Sequence, residues 1–360
     1  MVRPTTWLPQ LYQRFQPFWD RAAPAAGLAL LLWATAEATS AFPPEWRLFL
    51  AAVLFLLGLA SPQAAYVAFI FLIVYPLNNI SRYMAALLLA ALILPFPWAM
   101  RNLGATVLIL VTPALLPWRL ETAVPLLAGL WWGELTGGLA GGLAALWLKL
   151  LAGMAGEELD LTLLSGWTPA GENIVATFNP LGSLKTLTNL VSPFTGTDTS
   201  QALLLHMLQI LAWALAGYLA GLLVRRTWSD RWRGWSPLLS AIPAGGVLWA
   251  CYGLLPPLIN QTEIDTTTWL NDLAPWLLAS TLAAAAARQF YLYLHRPLVH
   301  PLRRPPARRR EASSHPAPHK ERLSKPSPPQ PEQPPFEWTP PQQPPSTAET
   351  DDDIIMLEID

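Results

Sequence analysis

The chain has 360 residues, of which 52% are hydrophobic and only 13% charged, with 18 tryptophans and a formal net charge of -1. Apolar content of that order, gathered into long runs, excludes an ordinary soluble domain and points to an all-α polytopic transmembrane helical bundle. A single cysteine, Cys251, excludes an intrachain disulfide framework and a cysteine-based zinc site, and no nucleic-acid partner is expected.

Residues 5–21 place Trp7, Leu8, Leu11, Tyr12, Phe15, Phe18 and Trp19 on one arc of a helix, opposite Gln10, Gln13, Gln16 and Asp20. The pattern predicts an amphipathic interfacial segment over 1–21, with Arg3, Arg14 and Arg21 near headgroups. Ala22–Phe42 follows as an uncleaved anchor that opens a transmembrane domain over 22–297, with Glu37 near its far end.

Leu48–Leu77 is apolar except for Ser61-Pro62-Gln63, and reads either as one long broken helix or as a hairpin. Met84–Met100 and Asn102–Pro117 are further spans, with Pro95, Pro97 and Pro113 as kinks.

The run 123–150 is the centre of the pattern. Gly129, Gly133, Gly137 and Gly141 recur every four residues and predict one packing seam along a helix. Glu134 lies in the same run. A carboxylate at membrane depth costs a few kcal/mol or more, so Glu134 is expected to face protein or a water-filled cavity.

Residues 155–200 carry Glu157, Glu158, Asp160, Glu172 and Asp198 against Lys185, the balance of a non-cytoplasmic loop, expected to be partly helical. Gln201–Val224 is the next span, with Ala212, Ala216 and Ala220 on one seam and Gly217 and Gly221 beside it. His206 and Gln209, one turn apart, are its polar candidates for lining a cavity or relaying protons. Arg225-Arg226 and the Trp/Arg-rich connection to Trp235 fit headgroups on the cytoplasmic side. Ser236–Ile259 and Leu270–Leu294 complete the spans, and the arginines after Leu294 place the carboxyl end in the cytoplasm.

With both ends cytoplasmic in a cell membrane, the span count is even. About eight spans result if 48–77 and 123–150 are single elements, and ten if both are split. Eight is preferred, because it puts Arg82 and Arg119 inside, whereas ten leaves only Arg101 inside of Arg47, Arg82, Arg101 and Arg119.

After a basic juxtamembrane segment, 298–325, expected to lie against anionic headgroups, a Pro-rich stretch over 326–345 predicts a disordered, extended spacer. The terminal segment 346–360 joins Asp351, Asp352 and Asp353 to Ile354, Ile355, Met356 and Leu357, an acidic and apolar peptide suited to dock a cytoplasmic protein.

The five histidines lack the spacing of a zinc protease, and neither a phosphate-cradling Gly-x-x-x-x-Gly-Lys loop nor a nucleophile elbow occurs, so no catalytic residue, cofactor or metal is expected. The small-residue seams resemble those of many permeases, including the substrate-binding membrane subunits of vitamin uptake systems and the small membrane proteins of cell-shape complexes, over about 50 residues. The expected function is a permease-like protein or membrane subunit of a small-molecule transport system, with Glu134 and His206 converging on a midplane cavity. The alternative is a membrane scaffold recruiting a partner through its tail. A third reading, an enzyme on lipid-linked substrate, would rest on Glu157, Glu158 or Asp160.

Overall fold

The computed structural model describes residues 7–39, 42–155, 160–164, 178, 182, 184–189, 199–226, 234–260, 267, 271 and 273–295. The segments 298–325, 326–345 and 346–360, with the docking residues Asp351–Leu357, lie outside the described residues, as does most of 155–200.

The elements are α1 (Trp7–Arg14), α2 (Gln16–Thr39), α3 (Pro44–Ala60), α4 (Pro62–Ile80), α5 (Arg82–Ile93), α6 (Phe96–Arg101) and α7 (Leu103–Leu115). They continue as α8 (Ala123–Trp132), α9 (Glu134–Ala155), α10 (Leu161–Leu164), α11 (Thr199–Val224), α12 (Ser236–Asn260) and α13 (Ala274–Leu294). All of these are helical, and four stretches, Pro62–Ile80, Glu134–Ala155, Gln201–Val224 and Ser236–Ile259, are long and apolar enough to cross a membrane. Leu48, Phe71, Leu135 and Leu211 point outward while Thr112, Lys149 and Ser280 are buried. That inversion of the usual soluble pattern suits a lipid surround.

The boundary at residue 21 is not a structural break: the kink falls at Phe15, and α2 runs unbroken from Gln16 to Thr39. Leu48–Leu77 is not one helix either. Ser61 takes an extended conformation (φ -146°, ψ 101°), ends α3, and accepts a hydrogen bond from the Ala64 amide at the start of α4, with Pro62 following. A Cβ on Gly58 would lie 3.6 Å from the Ala65 Cβ, whereas seven residues of uninterrupted helix would separate them by about 10 Å. The two helices therefore fold back on each other. Ser81 makes a second such turn (φ -152°, ψ 123°), after which α5 returns along α4, with the Tyr66 hydroxyl donating to the Leu92 carbonyl at 3.2 Å.

The run 123–150 is likewise divided. Gly133, with φ at +86°, ends α8 and opens α9, a conformation that side-chain-bearing residues rarely adopt. The glycine seam thus straddles a hairpin rather than following one helix. A Cβ on Gly137 would touch Gly129 Cα and lie 2.8 Å from the Gly217 carbonyl oxygen, while one on Gly141 would touch the Trp213 carbonyl and reach Pro125 Cβ at 3.0 Å. Glycines from α8, α9 and α11 therefore bring three backbones into mutual contact.

The turns group into two faces. Gln13 Nε2 donates to the Leu294 carbonyl at 3.0 Å, and the Arg288 guanidinium stands 5.4 Å from the Trp131 ring centroid. The start of α2, the Ser61 turn, Arg101, Gly133, Arg225 and the end of α13 accordingly share the first face. Pro43, Ser81, Ala155 and Asp160 share the second.

Candidate functional site: a buried polar layer

Glu134 does not lie mid-bundle. As the first residue of α9 it sits at the first face, where the amino-terminal end of a helix favours a carboxylate. Its Oε1 accepts from Arg225 Nη1 at 3.2 Å, the two side chains being 27% and 60% exposed. A pair so open to its surroundings adds less than about 1 kcal/mol. Trp132 packs its indole 2.8 Å from where a Gly104 Cβ would be, filling the space beside the hairpin.

The buried charge of α9 is instead Lys149, a residue the seam and carboxylate pattern passed over. It lies 15 residues after Glu134, about 22 Å along the helix. Its side chain is fully buried. Lys149 Nζ donates to Gln209 Oε1 at 2.6 Å and stands 3.2 Å from His206 Nδ1, which accepts if that nitrogen is unprotonated. Gln209 Nε2 in turn donates to Asp160 Oδ1 at 2.6 Å. Asp160 also caps α10, taking the Thr162 amide at 3.0 Å. His206 and Gln209 meet here because they are one turn apart on α11, facing α9. The layer is a continuous line of polar groups, His206–Lys149–Gln209–Asp160, from the helix pair to the second face. The signal for Lys149 was in the sequence: a lysine inside Trp147–Leu151 carries the same burial penalty that singled out Glu134.

A second group missed by sequence reasoning is the turn before α8. The residues joining α7 to α8 form a short 3-10 turn, Leu116–Trp118, followed by Arg119 with φ at 54°. Arg119 offers its carbonyl to Ser280 Oγ at 3.2 Å and its guanidinium to the Trp276 ring at 5.5 Å. Glu121 and Thr122 are each 2% exposed. This turn is deep in the bundle. Pro125 lies level with Gly141, and α9 runs on for 14 more residues to Ala155, about 21 Å. The ten-residue α8 is therefore a half-length helix whose amino-terminal end opens inside the protein. Buried Tyr252 and Cys251 on α12 bridge the two groups, Tyr252 within electrostatic reach of Glu121 and Asp160, and Cys251 of Lys149 and Asp160.

Chemically, the arrangement holds one lysine in line with amide, imidazole and carboxylate groups, in a bundle that also encloses the amino-terminal end of a helix, an end that attracts negative charge. No group of three or more metal-ligating side chains occurs among the described residues. Glu134 and His206 do not converge; Lys149, His206, Gln209 and Asp160 do. Compared with known proteins, the chain matches no family model, no curated protein and no solved structure. By class it is an all-helical protein, with four helices long and apolar enough to cross a membrane among its described residues.

Proposed function

We propose that the chain is a multi-pass protein of the cell membrane, permease-like or the membrane subunit of a small-molecule transport system, whose functional centre is the Lys149 layer. One observation carries this: a fully buried, hydrogen-bonded lysine on α9 shares the bundle interior with half-length α8, whose amino-terminal end stops inside the protein. Discontinuous helices meeting intramembrane ionisable groups are the arrangement by which carriers hold substrates and coupling ions. The test is thermal stability of the purified protein against a panel of small anionic, cationic and neutral metabolites. At least one class should raise the melting temperature of wild type but not of Lys149→Met. Stabilisation unaffected by Lys149→Met would remove the layer from the site, and no stabilisation by any class would remove the transport reading.

The proposed topology has ten membrane segments, α2, α3, α4, α5 with α6, α7, α8, α9, α11, α12 and α13, of which α7 and half-length α8 enter from the first face and turn back inside the bundle, with both ends cytoplasmic. The two helical hairpins, at Ser61 and Gly133, support it over eight. On this count Arg14, Arg21, Arg101, Arg225, Arg226 and Arg288 are near the cytoplasmic face and Arg47, Arg82 and Arg119 toward the other, so the arginine bias still favours the assigned orientation. With Cys251 replaced by Ala, a membrane-impermeant thiol reagent should label Asn79→Cys in intact cells, and Gln63→Cys only after the membrane is opened. Protection of Asn79→Cys in intact cells would restore the eight-span count.

The tail is part of the same proposal: 346–360 docks a cytoplasmic protein through Ile354, Ile355, Met356 and Leu357, steered by Asp351, Asp352 and Asp353. The support is its sequence, since a merely solubilising tail gains nothing from four consecutive apolar residues. The full chain should capture a protein from lysate that a variant with Ile354, Ile355 and Leu357 changed to Ser does not; identical recovery would leave the tail without a docking role.

A further inference from the structure

A cavity of about 1150 Å³ opens at the first face, among the start of α2, the Ser61 turn, the α6–α7 junction and the α8–α9 turn. None of the Lys149 layer lines it. Its rim and its depth differ in chemistry. At the rim stand the exposed Arg21 and Arg101, with Asp20, Ser61 and Gln63. Neither arginine forms an ion pair among the described residues, and the two guanidinium groups outweigh the one carboxylate. Deeper, Val107, Leu108 and Val111 on α7 make an apolar wall that ends eight residues past Leu103, about 12 Å below the rim. Trp19, Trp131 and Trp132 stand along the same cavity, as indoles do at a headgroup boundary.

We propose that this cavity binds one anionic phospholipid, its phosphate between Arg21 and Arg101 and an acyl chain along Val107, Leu108 and Val111. A small water-soluble anion would satisfy the arginines but leave the apolar wall bare; an uncharged lipid would cover the wall but leave the guanidinium groups unneutralised. An amphiphile with a negative head meets both demands, and the apolar exterior of the bundle puts lipid at the mouth of the cavity. This site goes beyond the transport proposal and sits at the other face from the Lys149 layer. It requires only that the protein be embedded in lipid.

The test is native mass spectrometry of the full chain released from mixed micelles containing equal phosphatidylglycerol and phosphatidylcholine. Wild type should retain one phosphatidylglycerol in preference to phosphatidylcholine, and Arg21→Gln with Arg101→Gln should lower that preference about fivefold for each arginine removed. Arg82→Gln, at the second face, should leave it unchanged. Leu108→Trp, which fills the wall, should reduce retention of both lipids. Melting curves without added lipid check that each variant is folded. Equal retention of the two lipids by wild type, a loss with Arg82→Gln matching that of the double variant, or displacement of phosphatidylglycerol by glycerol 3-phosphate would each overturn the proposal. Lipid retention is read without solute, so its failure leaves the Lys149 reading standing, and the metabolite panel can fail without touching the lipid site.

Discussion

Gly137→Val should abolish the folded state at ordinary temperatures or lower stability by about 3 kcal/mol or more, at or above the upper end of what overfilling a tightly packed contact costs. The obstruction is backbone rather than side chain: a Cβ at this position meets Gly129 Cα and lies 2.8 Å from both the Gly129 nitrogen and the Gly217 oxygen. Neither can rotate out of the way, so α8, α9 and α11 would have to separate together. Gly246→Ala on α12 is the internal control. Nothing lies within 4 Å of its Cβ position, and the change should be neutral within about 1 kcal/mol. Thermal melts of the purified variants in detergent decide the matter. Similar melting temperatures for Gly137→Val and Gly246→Ala would show that the three-backbone junction does not hold the bundle together.

Gln209→Leu should destabilise more than Lys149→Met, although it removes no charge. Gln209 receives the Lys149 ammonium through its oxygen and gives its amide hydrogen to Asp160. Leucine would withdraw a partner from both at once, and a charge left buried without its compensating groups costs about 3–5 kcal/mol. Lys149→Met removes the buried charge and keeps an unbranched chain of similar length, so Gln209 and His206 lose only a donor. The comparison is made in the same melts. A smaller effect of Gln209→Leu than of Lys149→Met would mean that His206 alone suffices to hold the ammonium.

Much of the architecture was legible because apolar runs have lengths that a bilayer dictates, and α11, α12 and α13 lie within a few residues of the spans read from sequence. The hairpins were not legible for a physical reason. Two helices joined through one residue, Ser61 or Gly133, need no hydrophilic loop between them, so hydropathy stays high across the turn. Glycine at 133 reads equally as a packing residue or as a positive-φ turn, and only the second reading moves Glu134 to the first face. Lys149 could have been singled out by its burial penalty, but its partners could not, because the groups that compensate it are 57 and 60 positions away, at His206 and Gln209. His206 and Gln209 could be recognised as a pair from their spacing on α11, but not as the partners of a lysine on another helix.

The brevity of α8 bears on how the protein is made. Ten residues rise about 15 Å, half of a hydrocarbon core, so this segment is a poor candidate for entering the membrane by itself as it leaves the ribosome. The much longer α9 follows after a single residue and turns back against it, so the pair should partition as one unit. Its exposed glycine face must then wait for Gly217 and Gly221, which are synthesised some 80 residues later. Until α11 arrives, the newborn hairpin presents an unfilled glycine face to the lipid, which makes this interval of biosynthesis the one in which an insertion chaperone would have most to protect.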